Sequence, residues 1–178
     1  MEKKIIKNKK IILLAINSKY IHPAMGVYSL VTNSKYELNF LEYTIKDNVN
    51  EIIKALKEYD LIFISTYIWN IEIVKDILSK LNNKTVCLGG PEASNNPNII
   101  KLFSNNNVYI IKGEGEEAID EFLDYYQGYK DISFVSNLYY LEDNEVYYTY
   151  TKLPNIENIK HDLSLIKDYE NRVCYLEA

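Results

Sequence analysis

The 178 residues are 47% hydrophobic and 25% charged, the balance of a globular domain with a real core, which excludes a disordered or fibrous chain. Twenty Lys and Arg stand against 25 Asp and Glu, a net charge of −5, so the cationic excess of a nucleic-acid binder is missing and free nucleic acid is not an expected partner. No apolar run reaches the length of a membrane span, and the two cysteines, Cys87 and Cys174, stand too far apart to announce a disulfide framework or a metal-ligand cluster.

The first ten residues are basic and then apolar, but the apolar run is short and has no small-residue cleavage site, so a signal peptide is not expected. A cytoplasmic protein without membrane contact is. Ile11-Ile12-Leu13-Leu14-Ala15-Ile16 is continuously apolar and β-branched, as in a parallel strand buried on both faces. Pro23 is placed to open a helix running to about Leu30. Glu37-Leu38-Asn39-Phe40-Leu41-Glu42-Tyr43 begins by alternating polar and apolar, the mark of an edge strand. Val49, Ile52, Ile53 and Leu56 then share one helical face, with Asp47 as the expected N-cap.

Leu61-Ile62-Phe63-Ile64 predicts the next buried strand, and Ile73, Val74, Ile77, Leu78 and Leu81 a helix stopped by Asn82 and Asn83. After the strand Thr85-Val86-Cys87-Leu88, Asn96-Pro97 offers an N-cap and a proline first position for a helix burying Ile99, Ile100 and Phe103. Val108-Tyr109-Ile110-Ile111 predicts a fifth strand. Glu116 and Glu117 fall in the first turn of a last helix, whose apolar face is Ala118, Ile119, Phe122 and Leu123. Leu138-Tyr139-Tyr140-Leu141 and Val146-Tyr147-Tyr148 flank a turn and read as a hairpin. A Pro154-Asn155 break, a weak helical stretch and a closing apolar run, Val173-Cys174-Tyr175-Leu176, follow. The run looks like a strand begun without a partner, so the chain reads as a fragment of something longer. The fold class is α/β: a flavodoxin-like, doubly wound, five-stranded parallel sheet of order 2-1-3-4-5 with a C-terminal β-hairpin extension.

In that order the ligand crevice lies over the loops after strands one and three, residues 17–26 and 65–70. The first holds His22, one of two histidines, and the second joins hydroxyls to the single Trp69. Aromatic and hydroxyl groups together suit a large, flat, partly polar ligand; the alternative is that Ser65 or Asn70 caps a helix and Trp69 packs on the core. Leu88-Gly89-Gly90-Pro91-Glu92-Ala93-Ser94 removes two side chains at a strand's C-terminal end, as a ligand lying on bare backbone requires. A tight turn would do so too. Lys112-Gly113-Glu114-Gly115-Glu116-Glu117 stands on the same rim, where its acids would repel phosphate and favour hydroxyl or amide recognition, or simply complement a helix dipole. No Gly-x-Gly-x-x-Gly follows strand one, no acid ends strand three, and no nucleophile elbow or catalytic constellation is present.

The segments Ala15-Ile16-Asn17-Ser18-Lys19-Tyr20-Ile21-His22-Pro23-Ala24-Met25-Gly26, Ser65-Thr66-Tyr67-Ile68-Trp69-Asn70, Leu88 to Ser94 and Gly113-Glu114-Gly115-Glu116-Glu117, in this order of elements, resemble the N-terminal cobalamin-binding domain of cobalamin-dependent radical S-adenosylmethionine enzymes. That group includes iron-sulfur oxidoreductases and relatives of the anaerobic magnesium-protoporphyrin monomethyl ester cyclase. The resemblance covers about the first two thirds of the chain well and the hairpin loosely. Arg172-Val173-Cys174-Tyr175-Leu176-Glu177-Ala178 resembles the barrel strand that leads into the cluster-binding cysteine motif of those enzymes. Neither Cys87 nor Cys174 is a candidate cluster ligand.

The resemblance implies a cobalamin-binding domain in residues 1–130, then a hairpin and linker in residues 131–178 leading to a radical barrel of the same parent chain. S-adenosylmethionine and an iron-sulfur cluster would be the parent's further cofactors, serving methyl transfer, cyclisation or a related radical reaction; the fragment itself would carry no catalytic residue. By position, the nucleotide tail of cobalamin would lie near Gly89, Gly90, Pro91 and Glu92 and near Gly113, Glu114, Gly115 and Glu116. The corrin would rest over Asn17, Ser18 and His22 and over Ser65, Thr66, Tyr67, Trp69 and Asn70. The Asp-x-His-x-x-Gly motif of other cobalamin domains is not matched: no Asp stands two residues before His22, and Gly26 comes one residue late. Two arrangements follow, His22 on cobalt, or Tyr67 or Trp69 beneath a cobalt with no protein ligand. The alternatives of other classes are a nucleotide-sugar transferase domain and a ligand-free flavodoxin-like partner-binding module.

Overall fold

Apolar β-branched runs that bury both faces build the centre of the molecule. In the computed structural model, which describes residues 3–153 and 155–173, they form β1 (Ile11–Asn17), β3 (Leu61–Ser65), β4 (Thr85–Gly89) and β5 (Asn107–Ile111), with β2 (Phe40–Thr44) at one edge. The hairpin strands β6 (Leu138–Glu142) and β7 (Glu145–Tyr148) complete one seven-stranded sheet of order β2-β1-β3-β4-β5-β6-β7. The first five strands are parallel in the expected order, and the hairpin adds to β5 antiparallel. Asp143 and Asn144, both at positive φ (49° and 63°), make the tight two-residue connection that twisted hairpins favour. Pro154 and all of the expected last strand except Val173 lie outside the described residues.

Side chains alternate across the sheet. Ile12, Leu14 and Ile16, with Ile62 and Ile64, meet Ile52 and Leu56 of α2 (Val49–Leu56) and Val74, Ile77 and Leu78 of α3 (Ile71–Lys80). On the other face Leu13, Phe63 and Cys87 meet Val27 and Val31 of α1 (Met25–Asn33) and Ile119 and Phe122 of α5 (Ala118–Tyr126). Each such side chain contributes about 1.5–3 kcal/mol relative to an exposed one.

Several local expectations are corrected. The β4–β5 crossover is not one α-helix from Pro97 but a short α4 (Pro91–Asn95) followed by a 3-10 helix, Pro97–Leu102. Asn96, at φ −130° and ψ 69°, leaves the helical region, and Pro97 has no N–H to continue the ladder. Ile99, Ile100 and Phe103 are buried all the same. Asn48, not Asp47, caps α2 through the Asn50 N–H, while the Asp47 carboxylate accepts from the N–H and hydroxyl of Thr44. Glu116 and Glu117 precede α5, whose acidic first turn is Asp120 and Glu121.

Those acids set the spacing of α1 and α5. The Asp120 carboxylate accepts from the Ser34 hydroxyl (2.6 Å) and the Lys35 N–H (3.0 Å), and Asp124 from the Tyr36 hydroxyl (2.6 Å) and the Lys35 ammonium (2.8 Å). Burial pushes the Asp124 pKa up, but its donors outweigh that and hold it below the usual range. Its stabilisation is therefore present above the ordinary Asp pKa and lost as pH falls through the depressed value. Asp124→Asn is expected to lose about 1–3 kcal/mol of unfolding free energy at pH 7, with the gap to wild type closing below about pH 4. Urea unfolding across pH checks this; a gap independent of pH would contradict the role of the charge.

Candidate functional site

On the α1/α5 face, Leu13, Phe63, Cys87 and Ile111 fill the interior. Two residues further along β3 and β4, on the same face, come Ser65 and Gly89, which are paired in register. Gly113 follows β5. With so little bulk at the C-terminal rim, α1 and α5 overhang a cleft of about 520 Å³. Leu13, Phe63, Cys87 and Ile111 line its apolar part, and Val27 and Leu30 from α1 and Ile119 from α5 its walls. Burial pushes the Cys87 thiol pKa well up, so it stays a neutral apolar surface.

The glycine turns meet this cleft. Gly89, Gly90 and Pro91 line it on one side, and Gly113, Glu114, Gly115 and Glu116 on the other. Gly90 has φ 90°, and a Cβ there would stand 2.5 Å from the Thr66 carbonyl oxygen, so no other residue keeps this backbone unstrained.

A second cleft of about 380 Å³ adjoins the first, sharing Gly26, Val27, Ser65 and Tyr67 with it. Asn17, Ser18, His22 and Trp69 complete the lining drawn from the sequence. The Tyr67 and Trp69 rings stack face to face, 4.5 Å apart and 5° from parallel, and the Trp69 indole N–H donates to the Ile16 carbonyl (3.3 Å). Burial, then the nearby Glu114 charge, raises the Tyr67 pKa, so its phenol is neutral. Trp69 is 44% and Ile68 78% exposed, and Tyr20 and Ile21 are also exposed, which lays apolar surface along the rim.

Thr66, Asn70 and Glu92 line neither cleft. Thr66 and Asn70 are fully buried and brace the turns instead. The Thr66 hydroxyl donates to the Gly89 carbonyl (2.6 Å) and accepts from the Ala93 N–H (3.0 Å), tying the β3 loop to the glycine turn. The Asn70 amide donates to the carbonyls of Ile16 and Ser65 (both 3.0 Å) and accepts from the Tyr67 N–H (2.8 Å), which clamps the ends of β1 and β3.

Two cleft residues keep an unsatisfied polar atom, the hydroxyl of Ser94 and Oε2 of Glu116, whose Oε1 accepts from Ser29 (2.6 Å). An unmade hydrogen bond costs about 1–3 kcal/mol, so both residues gain from a ligand that supplies a partner. Ser94 stands in a motif the sequence marks but was not itself singled out. Glu42 was missed altogether. Its carboxylate, 13% exposed, gathers the Asn17 amide (2.7 Å), the Tyr28 hydroxyl (2.8 Å) and the Arg172 guanidinium (2.6 Å), and nothing local in the sequence distinguishes it from a solvated strand residue. Among the described residues no His, Cys, Asp and Glu are grouped to hold a metal ion, and no helix is long and apolar enough to cross a membrane.

No family model and no curated protein matches the sequence. Solved structures do match. The cobalamin-dependent S-adenosylmethionine radical enzyme OxsB, with aqua-cobalamin and S-adenosylmethionine bound, superposes with a TM-score of 0.71 at 15% identity over 85% of this chain. The chain has the fold of part of that enzyme. The radical S-adenosylmethionine methyltransferase TsrM from Kitasatospora setae, with cobalamin and a 4Fe-4S cluster bound, gives 0.67 at 15% identity over 86%. This chain spans 23% of the OxsB chain and 31% of the TsrM chain.

The two adjacent glycines make different demands on the fold. Gly90→Ala is expected to cost about 1–3 kcal/mol of stability. Gly89→Ala, whose Cβ would meet nothing nearer than the Ile111 carbonyl oxygen at 3.9 Å, should stay within about 0.5 kcal/mol of wild type. Urea unfolding of both variants checks this, and equal losses would contradict it.

Proposed function

We propose that the chain binds cobalamin, with the nucleotide tail in the larger cleft and the corrin over the smaller one, and presents the cofactor to a radical S-adenosylmethionine domain of the same polypeptide. The observation that carries this reading is the continuity of the two clefts: an apolar slot edged by bare glycine backbone opens directly onto a stacked aromatic pair. OxsB and TsrM, which share the fold, have each been solved with cobalamin bound. The residues fit the group. A slot of about 520 Å³ falls within the roughly 300–1,000 Å³ of small-molecule sites and suits a flat bicyclic base with its ribose, for whose hydroxyls Ser94 and Glu116 are unsatisfied partners. The corrin is too broad for the slot and suits the exposed apolar rim.

Bound cobalamin supplies a cobalt centre able to carry a methyl group or an electron. The chain's own part is to bind and orient. Gly89 and Gly90 admit the ligand to the backbone, Thr66 holds that turn, and Tyr67 and Trp69 form a seat that excludes water. We assign the seat to this pair rather than to His22, because Tyr67 borders both clefts and His22 only the smaller. In this reading residues 1–130 carry the site, residues 131–178 lead towards the radical domain, and S-adenosylmethionine and the iron-sulfur cluster belong to that domain. The sparse cysteines and the buried Cys87 suit a reducing cytosol.

Titration of the purified chain with hydroxocobalamin, followed by absorbance and co-elution in gel filtration, tests the reading. Saturable binding is expected, weakened at least roughly tenfold by Gly89→Leu, whose side chain would project into the slot beside Cys87. No binding by wild type, or equal binding by the variant, would overturn it. His22→Ala is expected to leave the visible spectrum of the bound cofactor unchanged; a changed spectrum would establish histidine ligation instead.

A further inference from the structure

Residues 18–24, which join β1 to α1 along the smaller cleft, have no regular structure. Within this stretch, the main-chain bonds are few: the His22 N–H donates to the Lys19 carbonyl (3.2 Å), and at its end the Met25 N–H donates to the Pro23 carbonyl (2.9 Å). The bonds that fasten it come from elsewhere. Glu42 on β2 accepts from the Ala24 N–H (3.3 Å) and from the Asn17 amide just before the stretch (2.7 Å). Others come from the C-terminal segment. The Val173 N–H donates to the Ile21 carbonyl (2.8 Å), the Tyr20 hydroxyl donates to Asp168 (2.9 Å), and the Arg172 guanidinium lies 4.3 Å from the centre of the Tyr20 ring.

Arg172 joins these two sets. Its side chain is 5% exposed, and Nη1 meets Oε1 of Glu42 at 2.6 Å. Among the described residues it is the one cation that donates to Glu42, which also holds Tyr28 of α1. The buried Arg172 Nε has no hydrogen-bond partner among the described residues, and the guanidinium is held by Glu42 and the Tyr20 face. Taking away one member of a buried ion pair leaves the other uncompensated and is strongly unfavourable. Without Arg172 the Glu42 carboxylate must recruit water or shift, and its other ties, to Asn17 and Ala24, shift with it.

We infer that Arg172 is a positioning residue for the β1–α1 loop: paired with Glu42, 130 residues before it in the chain, and set against Tyr20, it locks the side of the smaller cleft that holds Asn17, Ser18 and His22. The loop and the 168–173 segment then form one mechanical unit. Where that cleft seats a corrin, the segment that leads out of the domain also sets the seat's shape; this last step rests on the cofactor proposed above.

Hydrogen–deuterium exchange tests the lock without any ligand. Arg172→Ala and Glu42→Gln are each expected to speed exchange of the amides in residues 18–24 by roughly tenfold or more while leaving β3, β4 and β5 protected. Arg172→Lys, which keeps the charge but not the fork, should fall between. Unchanged exchange in the loop, or faster exchange spread evenly over the sheet, would overturn the inference. With hydroxocobalamin as probe, Arg172→Ala should weaken binding roughly tenfold and alter the bound spectrum, whereas binding of α-ribazole, which carries only the base and ribose, should be unaffected. Equal loss of both would mark a general loss of structure and also overturn it. Should wild type bind neither, the cofactor reading falls and loop exchange alone still decides the role of Arg172.

Discussion

The site exists because bulk is missing from one corner of the sheet. Along the α1/α5 face β1, β3 and β4 carry Leu13, Phe63 and Cys87 near their middles and β5 ends on Ile111, whereas β3 and β4 end on Ser65 and Gly89. A well-packed core fills every such position. Here Phe122 of α5 packs edge-on against Phe63 of β3, and Asp120 and Asp124 of α5 bond Ser34 and Tyr36 just beyond the end of α1. The cleft is what remains between the two helices. Its walls, Val27, Leu30 and Ile119, pack into the same core, and a pre-formed site binds without first ordering the protein.

The smaller cleft is held differently. It lies where the winding of the sheet reverses, between β1 and β3, the place at which open α/β sheets bind ligands. Its floor is braced by Asn70, which bonds the ends of both strands. Its other side depends on a loop with little structure of its own, fastened by Glu42 and by the segment around Arg172. One half of the site is therefore set by the core and the other by a buried ion pair, which ties the second half to the segment around Arg172.

Much of this was legible in the sequence. Continuous apolar runs marked the four central strands, alternation marked β2 as an edge, and the glycine pairs marked the rim of the larger cleft. The switch-point rule located the smaller cleft but not the larger one, because the larger one reflects which helices overhang the rim. Local signals misled where two residues compete for one role. Asn48 and Asp47 could each cap α2, and Pro97 could open an α-helix or end one. Thr66 and Asn70 have side chains equally suited to a ligand or to a neighbouring carbonyl, and burial decided for the carbonyl. The pairing of Glu42 with Arg172 left no trace in periodicity or spacing, since a contact 130 residues apart is a property of the folded chain.

We propose that the larger cleft takes the nucleotide tail of cobalamin. The most direct measurement compares the affinity of the wild-type chain for aqua-cobalamin with its affinity for cobinamide, which has the corrin and cobalt but no nucleotide. Burying the base and ribose in an apolar slot should make cobalamin bind at least roughly a hundredfold more tightly. Equal affinities would place the tail outside the cleft.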